Sequence, residues 1–166
     1  MNNKIARPIT CMATLVLILA LRLEPAGEEF DFVHIGRAEG LSQSTVYTIL
    51  QDRSGFMWFG TENGLNRFDG YDFTVFQHVP GDPSSLSHNS VLKLYEDREG
   101  VLWIGTLNGG LNRYDPRLGS FRNYRHIPGH SDSLSNDIVG AFHEDRDGTF
   151  WIGTDGGLTR LDRASG

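Results

Sequence analysis

The sequence holds a single cysteine, Cys11, so no disulfide framework within the chain can supply its stability. An excess of positive charge is also missing. Fifteen Lys and Arg face 21 Asp and Glu, for a net charge of −6, which argues against a nucleic-acid partner because phosphate binding needs a basic face. No stretch of the repeated part offers a window of about 11 residues with a 3.6 period, which excludes a helical solenoid. Catalytic signatures are absent as well. There is no Gly-x-Ser-x-Gly elbow, no His-Glu-x-x-His, no Gly-x-Gly-x-x-Gly and no P-loop, and nothing resembles a kinase phospho-acceptor histidine region or nucleotide site. What is present is an ordinary soluble composition, 39% hydrophobic and 22% charged, with 20 glycines that suit a turn-rich β fold.

One phrase occurs three times: Asp52–Asp69, Asp97–Asp115 and Asp145–Asp162. Its tryptophans, Trp58, Trp103 and Trp151, lie 45 and 48 residues apart, and Leu41, Leu86 and Leu134 keep the same spacings. Each unit begins with an apolar run (Val46–Leu50, Val91–Tyr95, Ile138–Phe142), followed by an Asp-Arg-x-Gly turn. A second run follows (Phe56–Thr61, Val101–Thr106, Phe150–Thr154), then a Gly-containing hairpin turn at Asn63-Gly64, Asn108-Gly109 and Asp155-Gly156. A third run (Leu65–Phe68, Leu111–Tyr114, Leu158–Leu161) and, in two units, an aromatic fourth (Phe73–Phe76, Phe121–Tyr124) complete the pattern.

Each unit therefore reads as a four-stranded antiparallel meander. The second strand is apolar on both faces, with Phe56 and Trp58 on one and Met57 and Phe59 on the other, so its sheet is covered on both sides. Four-stranded sheets repeating every ~45 residues and stacked face to face are propeller blades. The fold class is all-β: a partial β-propeller of about three blades, over residues 41–79, 86–127 and 134–166, after an N-terminal signal or anchor segment.

That segment, residues 1–29, places Lys4 and Arg7 before the apolar run Ile9–Leu21. The run is short for a membrane span of about 20 residues and suits a signal-peptide core, removed near Ala26 or Gly27 or kept as a marginal anchor. Phe30–Ile35 reads as a lone copy of a fourth strand, of the kind that completes the last blade when a ring closes. Three units are too few for a ring of about 4–8 blades. Seven would take roughly 315 residues, so the chain reads as the N-terminal part of a longer protein.

The phrase Asp-x-x-Gly-x-x-Trp-(Ile/Phe)-Gly-Thr-x-x-Gly-Leu-x-Arg-(Tyr/Phe)-Asp, preceded by Ser-Leu-Ser-x-Asn, resembles the two-component regulator propeller repeat. Asp52–Asp69 fits fully, Asp97–Asp115 carries one extra Gly, and Asp145–Asp162 has Leu161 at the aromatic position. The resemblance implies the exported sensor region of a bacterial membrane receptor. It would act at the periplasmic face of the inner membrane, with a histidine kinase or diguanylate cyclase output that this chain lacks. It also implies membrane association and allows a homodimer in the full-length receptor.

Several residues recur at the same place in each repeat and are the candidates for chemistry. Trp58, Trp103 and Trp151 suit blade packing better than ligand stacking, because each sits in the most apolar strand. Asp52, Asp97 and Asp145 suit turn formation better than calcium, and only Glu144, Asp145 and Asp147 approach a calcium-loop pattern. Arg67, Arg113 and Arg160 are expected as solvated or cross-strand ion-pair residues. His34, His78 and His126 end outer strands that splay apart, and Pro128-Gly129 separates His126 from His130, so no metal site is expected. The loops Ser42–Thr45, Ser85–Asn89 and Ser133–Asp137 enter the first strands near the mouth of the central channel and are the best place for ligand contacts, although their Ser and Asn also suit turn capping. No catalytic residue, metal or cofactor is expected.

Three functions compete at this level. The first is a ligand-sensing module for a small molecule or glycan. The second is an exported propeller enzyme of lyase or glycosidase type, disfavoured because no acid/base constellation departs from the repeat. The third is a non-catalytic protein-interaction platform.

Overall fold

We describe residues 30–162 of a computed structural model. The segment expected as a signal or anchor, residues 1–29 with Cys11, lies outside the described residues. Two compact units are distinguished, Met1–Val33 and His34–Gly166. Of the first, residues 30–33 are described; they carry no regular secondary structure, and Phe30 and Phe32 place their rings 6.5 Å apart. Phe30–Ile35, expected as an outer strand, is assigned to none.

The second unit opens with a 3₁₀ turn, Arg37–Glu39, and then consists of strands. In chain order these are β1 (Val46–Gln51), β2 (Met57–Thr61), β3 (Gly64–Phe68), β4 (Phe73–Phe76), β5 (Val91–Glu96), β6 (Leu102–Thr106), β7 (Leu111–Asp115), β8 (Ser120–Tyr124), β9 (Val139–Glu144), β10 (Phe150–Thr154) and β11 (Gly157–Leu161). They form three antiparallel meanders, β1-β2-β3-β4, β5-β6-β7-β8 and β9-β10-β11. The first strands of successive blades, β1, β5 and β9, lie beside one another. Among the described residues no helix is long and apolar enough to cross a membrane.

Two local features differ from the sequence reading. The hairpin turn expected at Asp155-Gly156 is found there, but the one expected at Asn63-Gly64 falls on Glu62-Asn63, so that Gly64, like Gly157 in the third blade, is the first residue of its strand. Both have strongly positive φ (122° and 123°), a conformation in which glycine meets no Cβ penalty. The second feature is a bulge in all three blades. The pairing of β1 with β2 shifts between Val46 and Thr48, that of β5 with β6 between Val91 and Lys93, and that of β9 with β10 opposite Gly153 and Thr154. An extra residue changes the inward/outward alternation by one, and no pattern of apolar residues announced it.

The core lies between blades. Trp58, Leu65 and Phe76 of the first blade pack on Leu94, Leu102, Ile104, Tyr114 and Phe121 of the second. Tyr114 meets the Trp58 ring edge-on at 5.2 Å. The second interface repeats the first, with Trp103 and Leu111 against Val139, Phe150 and Ile152. One position reports the consequence of stacking. Leu65 and Leu111 are 0% exposed under the following blade, whereas Leu158, at the same place in the third, is 66% exposed.

Close backbone approach fixes the spacing. A Cβ on Gly60 would come within 2.6 Å of Val91 Cγ1 and 3.0 Å of the Val91 carbonyl oxygen in the next blade. On Gly105 it would come within 2.5 Å of the Val139 carbonyl oxygen. A glycine in mid-strand marks a place where another backbone comes near.

Candidate functional site

The Asp-Arg-x-Gly turn is a complete module. Asp97 Oδ1 accepts the backbone N–H groups of Glu99 and Val101, and Oδ2 accepts the Trp103 indole N–H at 2.8 Å. Asp52 holds Ser54, Phe56 and Trp58 in the same way, and Asp145 holds Asp147, Thr149 and Trp151. The Trp151 indole bond, foremost, depresses the Asp145 carboxyl below the ordinary aspartate range. A carboxylate whose lone pairs already accept three N–H groups is a turn and packing device rather than a cation ligand. Among the described residues no group of three His, Cys, Asp or Glu is placed to hold a metal.

The arginine of the same turn reaches across blades, a role the sequence reading did not assign. Arg53 donates from Nη1 to the Arg98 carbonyl (2.6 Å) and from Nη2 to the Asp97 carbonyl (2.7 Å), while its backbone N–H donates to Glu96. One blade on, Arg98 Nη1 donates to the Arg146 carbonyl and its N–H to Glu144 Oε2. The signal was present as a recurring Arg beside each Asp, but its acceptors are 44 to 48 residues away.

The Ser-Leu-Ser loops were read as the best place for ligand contacts, with turn capping by their Ser and Asn as the competing role. Their groups are largely committed to their own blade. Ser42 N–H donates to Asn66 Oδ1, its hydroxyl pairs with Thr61 Oγ1, and Ser87 N–H donates to Asn112 Oδ1. Leu41, Leu86 and Leu134 plug the blade ends and are buried. His78 and His126 bond the Leu86 and Leu134 carbonyls through Nδ1 at 2.8 and 2.6 Å. Burial, with His78 nearby, holds His88 below the usual histidine value, so its Nδ1 is free to accept the Ser90 N–H.

Arg113 and Arg160 are exposed, as the solvated reading expected, whereas Arg67 is half-buried and takes a different role. None of Arg67, Arg113 and Arg160 is in an ion pair among the described residues. Arg67 instead lies over the Phe56 ring, with its guanidinium carbon 4.8 Å from the centroid, and 5.9 Å from that of Trp58. Its Nε is buried without an acceptor, and its Nη2 is 3.5 Å from Thr74 Oγ1. These groups line a cleft of about 520 Å³ between the first two blades, bounded also by Tyr114, Arg117 and Leu118. Burial pushes the Tyr114 phenol up, and the Arg67 charge opposes it. The cleft opens beside the Asp-Arg-x-Gly turns, at the blade edge away from the Ser-Leu-Ser loops.

The two component regulator propeller family matches residues 40–63, 85–108 and 133–156, the segment of each blade from the Ser-Leu-Ser loop to the hairpin turn. Over 67 residues the chain is 42% identical to histidine kinase P4 of Formosa agariphila, covering 40% of this chain and 5% of that protein. An extracellular domain from B. thetaiotaomicron, described as that of a hybrid two component system, superposes with a TM-score of 0.73 at 33% identity, covering 81% of this chain and 19% of that one. A second extracellular domain from that organism, described as that of a one component system, gives 0.66 at 30% identity, with 82% and 19% covered. The chain thus spans about a fifth or less of the relatives it matches. By its three matched repeats, one in each blade, the chain belongs to the two component regulator propeller family.

Proposed function

We propose that this chain is part of the sensory region of a bacterial two-component receptor. It is exported, stands in the periplasm or at the periplasmic face of the inner membrane, and recognises a small molecule or glycan. It performs no catalysis itself. Occupancy passes to a histidine kinase or diguanylate cyclase output carried elsewhere in the receptor, which is held at the membrane and acts as a homodimer. The observation that carries this reading is the coincidence of three family repeats with a fold found in the extracellular domains of a hybrid two component system at 33% identity and of a one component system at 30%. A ligand signals only if it binds two receptor states with different affinity, and interlocked blades can supply such states through small rearrangements at their interfaces.

Residues 1–40 fused to a reporter that is active only outside the cytoplasm test the first step. Export with reporter activity is the expected result. A fusion that stays in the cytoplasm removes the periplasmic sensor from consideration.

A further inference from the structure

In a repeat protein, what departs from the repeat marks a place where structure alone does not dictate the residue. The position four after the turn aspartate is Phe56 in the first blade, Val101 in the second and Thr149 in the third. Only Phe56 offers an aromatic face, and Arg67 lies on it at 4.8 Å. The next blade contributes Tyr114 where the other blades have Phe68 and Leu161. Both departures meet in the one cleft between blades one and two.

The charge in that cleft is unevenly committed. Asp52 accepts three N–H groups, Glu96 accepts the Arg53 N–H and pairs with its side chain, and Asp115 Oδ1 accepts the Arg117 N–H at 2.9 Å. On the cationic side, Arg67 keeps a buried Nε with no acceptor and only a 3.5 Å contact from Nη2. Arg117 lines the rim with no partner for its side chain among the described residues, and Arg122 rests over the Tyr124 ring at 5.2 Å. Glu99 is the acid in the lining whose side chain has no partner among the described residues. A guanidinium flanked by aromatic and aliphatic walls pairs best with a planar anion that has an apolar body. Leu118 and Phe56 supply the apolar wall.

We propose that the cleft between the first two blades binds a compact organic carboxylate, with the Arg67 guanidinium as its ionic partner and Arg117 assisting at the rim. The site lies at the blade edge opposite the Ser-Leu-Ser loops, and both blades that form it are complete four-stranded sheets. Binding here is independent of whether the chain is exported or whether occupancy is transmitted.

The test is a titration of the 166-residue chain with benzoate, benzamide and sulfate at matched ionic strength. It is followed through the side-chain N–H resonances of Arg67 and Trp58. Benzoate should saturate, and benzamide, alike in shape but uncharged, should bind at least about tenfold more weakly. Arg67→Lys should weaken benzoate about tenfold, since the planar fork is lost. Arg117→Ala, an exposed change, should weaken it about threefold and decides the matter if Arg67→Lys loosens the blade interface. Equal binding of benzoate and benzamide overturns the proposal. So does competition by sulfate as strong as by benzoate, which marks an adventitious ion only. So does benzoate affinity unchanged in Arg117→Ala and in a folded Arg67→Lys.

Discussion

Asp97 Oδ2 accepts the indole N–H of Trp103 at 2.8 Å, and Trp103 in turn packs its ring, tilted by 33°, 5.2 Å from that of Phe150 in the following blade. One carboxylate thus shapes a turn within its blade and orients the largest side chain of the next interface. Asp97→Asn keeps the size but offers one acceptor oxygen, so either the turn or the indole loses its bond. Hydrogen bonds to charged groups contribute about 1.5–3 kcal/mol. Urea unfolding of Asp97→Asn should show a stability loss of that order, with Trp103 fluorescence shifted; an unchanged midpoint contradicts the assignment.

Leu65 and Leu158 share a repeat position but not an environment. Leu65→Ala should cost about 2–5 kcal/mol, as for a buried leucine whose site cannot collapse. Leu158→Ala should change stability by less than about 0.5 kcal/mol. Equal effects in denaturant unfolding contradict the asymmetry.

Gly105 and Gly140 make a matched pair of glycines, neither with positive φ. A Cβ on Gly105 would lie 2.5 Å from the Val139 carbonyl oxygen, whereas one on Gly140 would meet nothing within 4 Å. Gly105→Ala should destabilise by about 1–3 kcal/mol through overpacking against backbone. Gly140→Ala should be neutral within about 0.5 kcal/mol. Thermal melts of the two variants decide.

Acid should weaken the fold through three aspartates. Asp69 is held below the ordinary value by the Asp72 and Tyr71 N–H groups, Asp82 by the Ser84 hydroxyl, and Asp145 by the Trp151 indole. A carboxyl with a depressed folded-state pKa contributes stability above the unfolded value and loses it as pH falls through the folded one. Stability should therefore be flat in this contribution above about pH 5 and fall below about pH 4. Asp145→Asn should reduce the steepness of that fall, measured by urea midpoints across pH.

The all-β fold and its strand order were legible because each unit repeats the same alternation, turn aspartate and tryptophan, and three copies average out local ambiguity. The turn role of Asp52, Asp97 and Asp145 and the packing role of the tryptophans were readable for the same reason. What escaped depends on neighbours. The reach of Arg53 to the Asp97 and Arg98 carbonyls needs a second blade, and no spacing within one unit encodes it. Gly60 and Gly105 stood in plain sight inside apolar strands, a signal of close approach that points to no particular partner. Arg67 was read, with Arg113 and Arg160, as a solvated or ion-pair residue, and that shared recurrence hid the aromatic platform that Phe56 gives it in the first blade.

The arginine clamps also have a direction. Arg53 gives to the blade after it, that blade's Arg98 gives to the next, and carbonyl and glutamate acceptors sit always on the receiving side. A unit so built is polar, like a brick with a stud on one face and a socket on the other. A duplicated unit inserted between two others would find its stud and socket already matched, so the array can lengthen or shorten by whole blades without compensating changes elsewhere. A gain or loss of half a unit would leave a stud without its socket, since the clamp arginine and its acceptors sit around one turn of each blade.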